Sequence, residues 1–270
     1  MAVPKLLAAF FLAVLISASA WDMPSAEQID GGMPLIHAGD LGRRGGGVPS
    51  CETWRLAVEA NVLRDWKTIP AQCEKYVGNY MMAGHYRSDS RAVVDKAIAY
   101  ADGLRLSGNG NEVWVFDVDE TVLSNLPYYA NHRFGYSMYM YRAEPYNWEA
   151  FSAYVKEASA PALPETMRLY KRLQALGIKP VILTGRREGK REPTEKNLAR
   201  AGYTGGYLKL LHKPQDANVN SVVFKSGERK KLEDAGFVIV GNIGDQWSDI
   251  LGKPEGARTF KLPNPMYYVG

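Results

Sequence analysis

The chain has 270 residues, of which 46% are apolar and 23% charged, and its formal net charge is +4 at pH 7. A chain of this length and composition can bury a sizeable core in one medium-sized domain without help from metals or many disulfides. The basic residues are dispersed and form no stripe, so we do not expect nucleic acid as a partner, although a mildly basic surface is compatible with small anionic ligands.

The first twenty residues carry the pattern of a secretory leader. Lys5 precedes an apolar run over residues 6–16, and residues 18–20 (Ala-Ser-Ala) are small enough for cleavage before Trp21. We therefore predict a signal peptide over residues 1–20. The run is too short to span a bilayer and no later segment is long and apolar enough, so we expect a mature chain that is free of the membrane and either secreted or vacuolar.

Residues 21–47 are rich in glycine and lack periodicity, which predicts a flexible N-terminal arm ahead of a domain over residues 48–270. A helical pattern begins at Glu52. The chain has two cysteines, Cys51 and Cys73. In an oxidising compartment a Cys51–Cys73 disulfide is the expected pairing, and two buried thiols are the alternative.

Helical and strand patterns then alternate to the end of the chain. The predicted helices lie at residues 90–103, 164–177, 194–201 and 225–236, and the predicted strands at residues 113–116, 180–184, 207–211, 237–240 and 257–261. This alternation predicts an α/β domain with a parallel sheet covered by helices on both faces. Polar residues at the carboxyl ends of such strands gather at one edge of the sheet, where these folds bind ligands.

The first predicted strand leads directly to two carboxylates, Asp117 and Asp119. Residues two apart in a strand share a face, so both groups emerge together and repel each other unless a divalent cation such as Mg²⁺ screens them. One carboxylate could then attack phosphorus while the other gives a proton to the leaving alcohol. The alternative is an ordinary solvated turn.

Further candidate residues lie at or after the ends of later predicted strands, or at the start of a predicted helix. They are Thr184, Gly185, Arg186, Lys225, Asp245 and Asp249. The first three combine a hydroxyl, a permissive glycine and a guanidinium, which together suit phosphate oxygens. Each residue has an ordinary alternative: a turn cap for Thr184, a solvated charge for Lys225, a helix cap for Asp249. Their joint occurrence after Asp117 and Asp119 favours a common site.

Several segments with these residues resemble the haloacid dehalogenase (HAD) superfamily of phosphohydrolases, and more closely its plant acid phosphatase and vegetative storage protein branch, which is class B acid phosphatase-like. They are Phe116-Asp-Val-Asp-Glu-Thr, Leu183-Thr-Gly-Arg, Phe224-Lys-Ser, Gly244-Asp-Gln-Trp-Ser-Asp and the ending Phe260-Lys-Leu-Pro-Asn-Pro-Met-Tyr-Tyr. The resemblance implies a HAD-like Rossmannoid three-layer sandwich with a mostly parallel sheet, a small cap insertion and a helical N-terminal extension.

The resemblance also implies roles for single residues. Asp117 would be the nucleophile that becomes an aspartyl phosphate, and Asp119 the general acid and then base. The residues that would hold the phosphoryl oxygens are Thr184, Gly185, Lys225 and, as a further candidate, Arg186. The residues that would hold Mg²⁺ are Asp117, Asp119 through its backbone carbonyl, Asp245 and, through an intervening water, Asp249.

The segment from residue 124 to residue 164 would be the cap insertion, and it is crowded with aromatic rings. The rings are Tyr128, Tyr129, Tyr136, Tyr139, Tyr141, Tyr146 and Trp148. We expect most of them to pack a small core within the cap, and exposed ones to be available for stacking on an aromatic leaving group. His132 is a further candidate for contact with substrate, with an ordinary surface position as the alternative.

The predicted function is a secreted or vacuolar, Mg²⁺-dependent acid phosphatase that acts on small phosphate monoesters. The resembling branch also contains storage proteins, so a nutrient reservoir with weak or no phosphatase activity is the first alternative, and a binding module without turnover is the second. Relatives of this kind often dimerise, which allows for a homodimer without establishing one.

Overall fold

The computed structural model describes residues 50–131 and 146–270. The predicted signal peptide and flexible arm lie outside the described residues, as do His132, Tyr136, Tyr139 and Tyr141. No helix in the described part of the chain is both long and apolar enough to cross a bilayer.

Five parallel strands form one sheet in the order β3-β2-β1-β4-β5. The strands are β1 Glu112–Phe116, β2 Lys179–Arg187, β3 Lys209–Lys213, β4 Val238–Gly244 and β5 Thr259–Lys261. Strand order reverses between β1 and β4, and a parallel sheet opens a crevice at the carboxyl ends of its strands where the order reverses. The predicted parallel α/β sheet is confirmed.

Helices cover both faces of the sheet. They are α1 Cys51–Glu59, α2 Glu74–Met82, α3 His85–Asp102, α4 Leu126–Asn131, α5 Trp148–Glu157, α6 Pro164–Ala175, α7 Arg191–Arg200, α8 Ser221–Asp234 and α9 Trp247–Ile250. Side chains of a strand alternate between faces, so Trp114 and Phe116 pack with α3, α6 and α7, whereas Val113 and Val115 pack with α8. The result is the expected three-layer sandwich.

Some element boundaries differ from the sequence expectation. Helix α3 begins at His85 and not near Ser90, because Gly84 turns the chain in the left-handed region (φ 97°) directly before it. Strand β3 begins at Lys209 and not at Tyr207, because Gly205 and Gly206 also have positive φ and hold the chain in a turn.

The N-terminal extension, helices α1 to α3, is fastened to the sheet domain at several points. Cys51 and Cys73 form the expected disulfide, which excludes the alternative of two thiols in this structure. The Glu59 carboxylate accepts hydrogen bonds from Lys261 Nζ (3.0 Å) and from the backbone N–H of Asn264 (2.9 Å), and the Glu59 carbonyl accepts one from Trp247 Nε1 (3.0 Å). These bonds bring the extension beside the carboxyl ends of the strands.

Candidate active site

A cavity of about 650 Å³ opens at the carboxyl ends of β1, β2 and β4. Its lining includes the predicted site residues Asp117, Asp119, Gly185, Arg186, Lys225, Asp245 and Asp249. Thr184 is not part of the lining. It is fully buried, and its hydroxyl accepts the backbone N–H of Arg186 (3.1 Å), as the turn-cap alternative expects.

Two carboxylates meet one ammonium group at the centre of the cavity. Lys225 Nζ lies 2.5 Å from Asp117 Oδ1 and 2.5 Å from Asp249 Oδ1, and all three side chains are buried. Asp117 follows β1 directly, Lys225 projects from α8 and Asp249 belongs to α9. Burial alone would lower the pKa of Lys225, but the two carboxylates outweigh burial and raise that pKa above its ordinary value.

Asp245 follows β4 directly and is held by three neutral side chains. Thr121 Oγ1 donates to Asp245 Oδ1 (3.2 Å), and Gln246 Nε2 (2.8 Å) and Asn264 Nδ2 (2.7 Å) donate to Asp245 Oδ2. The sequence motifs predicted no role for these three donors. Asn264 was within the matched C-terminal segment, but nothing in a sequence says that an asparagine 19 positions later turns back to this carboxylate.

One carboxylate oxygen from each of Asp117, Asp245 and Asp249 lies within 4.8 Å of the others. Burial and the charge of Asp249 raise the pKa of Asp117, against the attraction of Lys225, and the same two causes raise the pKa of Asp245 to about 7. Three buried acidic groups therefore lie together, and the ammonium of Lys225 pairs with two of them, Asp117 and Asp249. This excess of negative charge on hard oxygen donors fits a divalent cation. We call Asp117, Lys225, Asp245 and Asp249 the floor of the cavity.

Asp249 folds back over the end of β4. Its Oδ2 accepts the backbone N–H of Gln246 (2.8 Å), and its Cβ and carboxyl group pack directly on the Cα of Gly244. A Cβ at position 244 would overlap the Asp249 side chain. Asp249 therefore lies beside Asp117 and Asp245, as predicted. It also takes part in capping α9, which was the ordinary alternative.

Asp119 points away from the acidic cluster, toward a guanidinium. Arg186 Nη2 lies 2.7 Å from Asp119 Oδ1, Arg186 Nε lies 3.1 Å from Oδ2, and Asn125 Nδ2 donates to Oδ1 (2.6 Å). Burial raises the pKa of Asp119, but Arg186 and Asn125 outweigh burial and hold that pKa below its ordinary value. Arg186, predicted as a candidate phosphate contact, is here the partner of the predicted general acid, and its phosphate role stays a prediction.

The upper part of the cavity is aromatic and comes from three separate segments. The rings are Trp66 of the extension, Tyr129, Tyr146, Trp148 and Phe151 of the cap, and Tyr267 and Tyr268 near the C-terminus. We call these seven residues the aromatic wall. Trp66 packs against Tyr268 with ring centres 6.5 Å apart.

Within the cap, Tyr128 is buried against Phe151 (5.2 Å between ring centres) and against Tyr129 (5.2 Å), whereas Tyr146 and Trp148 are about half exposed. Rings of both expected kinds are therefore present among the described cap residues. The contribution of Trp66 and Tyr267 was not foreseen.

Sequence comparison places these residues in a family. A family model described as HAD superfamily, subfamily IIIB (acid phosphatase) matches residues 43–270. The chain is 44% identical over 219 residues to acid phosphatase 1 of Solanum lycopersicum, covering 81% of this chain and 83% of that protein. It is 42% identical over 223 residues to vegetative storage protein 2 of Arabidopsis thaliana, covering 82% and 80%. The family resemblance indicated by the motifs is thereby confirmed.

A further relative is the stem 28 kDa glycoprotein of Glycine max, 43% identical over 221 residues, with 81% of this chain and 84% of that protein covered. Among solved structures, the class C acid phosphatase from Bacillus anthracis superposes with a TM-score of 0.58, covering 73% of this chain and 86% of that chain. Sequence identity in that superposition is 23%, so this likeness concerns the fold.

Proposed function

We propose, because the chain belongs to subfamily IIIB of the HAD superfamily, the acid phosphatases, that the floor of its cavity hydrolyses small phosphate monoesters through a covalent phosphate on Asp117. The observation that carries this proposal is the meeting of Asp117, Asp245 and Asp249 within 4.8 Å around Lys225, at the bottom of an open cavity. A solvated turn or a storage fold has no need of such a concentration of buried charge.

In the first half of the reaction, a carboxylate oxygen of Asp117 attacks phosphorus and the bond from phosphorus to the ester oxygen breaks. The leaving alkoxide takes a proton from the Asp119 carboxyl group. Lys225 bonds to Asp117 before the attack and is close enough to neutralise the transferring phosphoryl oxygens afterwards. In the second half, water attacks the aspartyl phosphate and gives its proton to Asp119, which restores Asp117 and releases inorganic phosphate.

The pairing of Arg186 with Asp119 bears on the first proton transfer. In the present arrangement the guanidinium keeps Asp119 ionised, and an ionised carboxylate cannot act as an acid. We expect an arriving phosphate dianion to compete with Asp119 for Arg186, since both offer oxygens to the same planar fork. The predicted phosphate contact and the observed ion pair would then be two states of one side chain.

We assign a divalent cation to the carboxylate oxygens of Asp117, Asp245 and Asp249, with the Asp119 backbone carbonyl as a further donor. The ion that we propose for this site is Mg²⁺. When bound, the ion supplies electrostatic stabilisation of the charge that develops on the phosphoryl group. Thr121, Gln246 and Asn264 orient Asp245 for that role by donating hydrogen bonds to it. Thr184 and Gly185, at the end of β2, remain the proposed contacts of the phosphoryl oxygens.

The aromatic wall suits leaving groups with an apolar or aromatic body, because its rings line the same cavity as the floor residues. A secretory route, to the cell exterior or the vacuole, is proposed from the leader pattern of residues 1–20 and from the relative named a stem glycoprotein. A homodimer and the binding-module alternative stay open proposals.

A second candidate function is storage of amino nitrogen, which the 42% identity to vegetative storage protein 2 favours. The two functions are not exclusive. The intact Asp117 and its charged surroundings favour turnover, because a pure reservoir gains no stability from three clustered, buried carboxylates of which only two pair with an ammonium group.

The test is hydrolysis of para-nitrophenyl phosphate from about pH 4 to 8, with Mg²⁺ or with EDTA. Asp117→Asn keeps the size of the side chain but removes the nucleophile, so we expect a loss of at least about a thousandfold in kcat/KM. Asp216→Asn is the matched control, because Asp216 is exposed on a loop away from the cavity. Activity that needs the metal and disappears only in Asp117→Asn supports the phosphatase; no activity in the wild-type protein would move the assignment to storage.

A further inference from the structure

Arg229 of α8 is completely buried, and its guanidinium feels the charges of Asp249 and Glu255 without forming an ion pair with either carboxylate in the described part of the chain. The guanidinium instead donates to four backbone carbonyls. The acceptors are Pro254 O for Nε (2.5 Å), Asp249 O for Nη1 (2.6 Å), and Leu251 O and Gly252 O for Nη2 (2.6 Å each). Over residues 50–131 and 146–270, Arg229 forms no ion pair.

A buried cation without a counter-ion is costly, because the carbonyl oxygens supply only partial charges in place of water. Burial lowers the pKa of Arg229 to about 10. A leucine would pack this face of α8 at less cost. The presence of an arginine therefore calls for a role that packing alone does not supply.

The four carbonyls all belong to residues 249–254, which comprise the end of α9, with Asp249, and the turn that follows it. We call this segment the 249–254 loop. The loop lies close on α8: a Cβ at Gly252, whose φ is +81°, would come within 2.9 Å of Ser226 Cβ and 3.0 Å of Val222 Cγ1. Asn242 Nδ2 of β4 donates to the Asp249 carbonyl from the other side (3.1 Å). The backbone of Asp249 is thus held between α8 and β4.

Lys225 and Arg229 are four residues apart, so they project from the same face of α8. Lys225 binds the carboxylate of Asp249 and Arg229 binds its backbone carbonyl. Helix α8 therefore binds both the side chain and the backbone of Asp249. Because Lys225 also binds Asp117, the distance between the Asp117 and Asp249 carboxylates depends on how firmly the loop is fixed to α8.

We infer that Arg229 is a positioning residue for the divalent cation: by tying the 249–254 loop to α8 it fixes Asp249 against Asp117. The inference rests on the proposed metal site. Arg229 itself does not line the cavity and touches neither substrate nor metal, so it acts through Asp249 alone.

The experiment is titration of the substrate-free protein with Mg²⁺, followed by the rise in melting temperature and by calorimetry, for wild type, R229K and R229M. Removal of groups that orient metal ligands typically costs about 10- to 100-fold in metal affinity. We expect a Kd for Mg²⁺ raised by about tenfold in R229K, which keeps the charge but loses the fork, and by more in R229M. The control is K231M on the same helix, where Lys231 is exposed and pairs only with Glu228, and its Kd should equal that of wild type.

If the role of Arg229 is purely structural, R229K and R229M will melt at lower temperature, but the Kd of the folded protein for Mg²⁺ will not change. That result would overturn the inference. If R229M fails to fold, G252A strains the same loop while Arg229 stays in place, and it must weaken Mg²⁺ binding in the same direction. An absent Mg²⁺ response in wild type would instead remove the metal site, and the proposed mechanism with it.

Discussion

The floor and the aromatic wall of the cavity are built in opposite ways. Floor residues lie next to the ends of β1 and β4 or on a helix packed against them, and they are fully buried ionic groups with fixed partners. Wall residues come from the extension, the cap and the C-terminal segment, and some rings, such as Tyr146 and Trp148, are about half exposed. Under the proposed function, this difference gives bond chemistry to the ends of the sheet and contact with the leaving group to the segments around it.

Glu59 marks the junction between these two regions. It joins the extension to Lys261 and Asn264, and Asn264 in turn donates to Asp245 of the floor. The wall is therefore fastened to the floor through side chains, and changes to either region test whether the division of labour holds.

The largest expected effect belongs to the floor. Asp245→Asn removes a proposed metal ligand and leaves two donors, Gln246 Nε2 and Asn264 Nδ2, facing an amide that can satisfy only part of them. We expect kcat/KM at fixed Mg²⁺ to fall by about a thousandfold, or about 4 kcal/mol, with partial recovery at high Mg²⁺. Steady-state kinetics across a Mg²⁺ series checks this, and an unchanged Mg²⁺ dependence would contradict the assignment of Asp245.

The next effect concerns how the extension is held. Cys51 and Cys73 are 22 residues apart in sequence, and closing a loop of that length stabilises a fold by about 3 kcal/mol in the chain-entropy model. The double variant C51S/C73S should unfold at lower denaturant concentration by about that free energy, yet keep its kcat under conditions where it is folded. Urea unfolding followed by tryptophan fluorescence measures the loss of stability. If kcat fell although the floor residues were unchanged, the extension would do more than support the aromatic wall.

A smaller effect distinguishes the wall. Trp66→Ala removes a ring that packs on Tyr268 and lines the cavity without touching the floor. For an aryl phosphate we expect kcat/KM to fall by about tenfold, whereas for a small alkyl phosphate it should change little. The ratio of the two constants is the measurement. Trp54→Phe, behind Trp66 and outside the cavity lining, serves as the comparison variant and should leave the ratio unchanged.

The smallest effect is a dependence on pH. Burial and repulsion by Asp249 raise the pKa of Asp245 to about 7, so the cost to the metal-free fold grows as pH rises from the unfolded pKa near 4 to about 7 and is constant above that. A divalent cation removes that cost. Mg²⁺ should therefore raise the melting temperature by a few degrees more at pH 8 than at pH 5. Equal shifts at both pH values would contradict the charge balance described for the floor.

The sequence predicted the floor because its residues are adjacent to strand ends, and parallel strands bring such residues together at one edge. Asp117, Lys225, Asp245 and Asp249 are all where the motifs place them. Among the wall rings, Tyr146 and Trp148 were predicted as cap rings. Trp66 was out of reach because it comes to the cavity through the packing of the extension against the sheet domain, across about two hundred intervening positions.

The partners of the predicted residues were also beyond the sequence. The motif identified Arg186 and Asp119 but not their ion pair, because a guanidinium that suits phosphate oxygens suits a carboxylate equally well. Arg229 is four residues from Lys225, yet an arginine on a helix with six other charged residues is expected to be a solvated charge. Only the structure shows that it is buried and bonded to four carbonyls.

Gly244 carries no functional group, yet the geometry of Asp249 depends on its having none, since any side chain at that position would occupy the space of the carboxylate. In a saturation mutational scan scored by activity, position 244 should therefore give the profile of a reactive residue, intolerant even of alanine. Such a scan ranks positions by the damage that replacement does, and here the damage would come from atoms added and not from atoms lost.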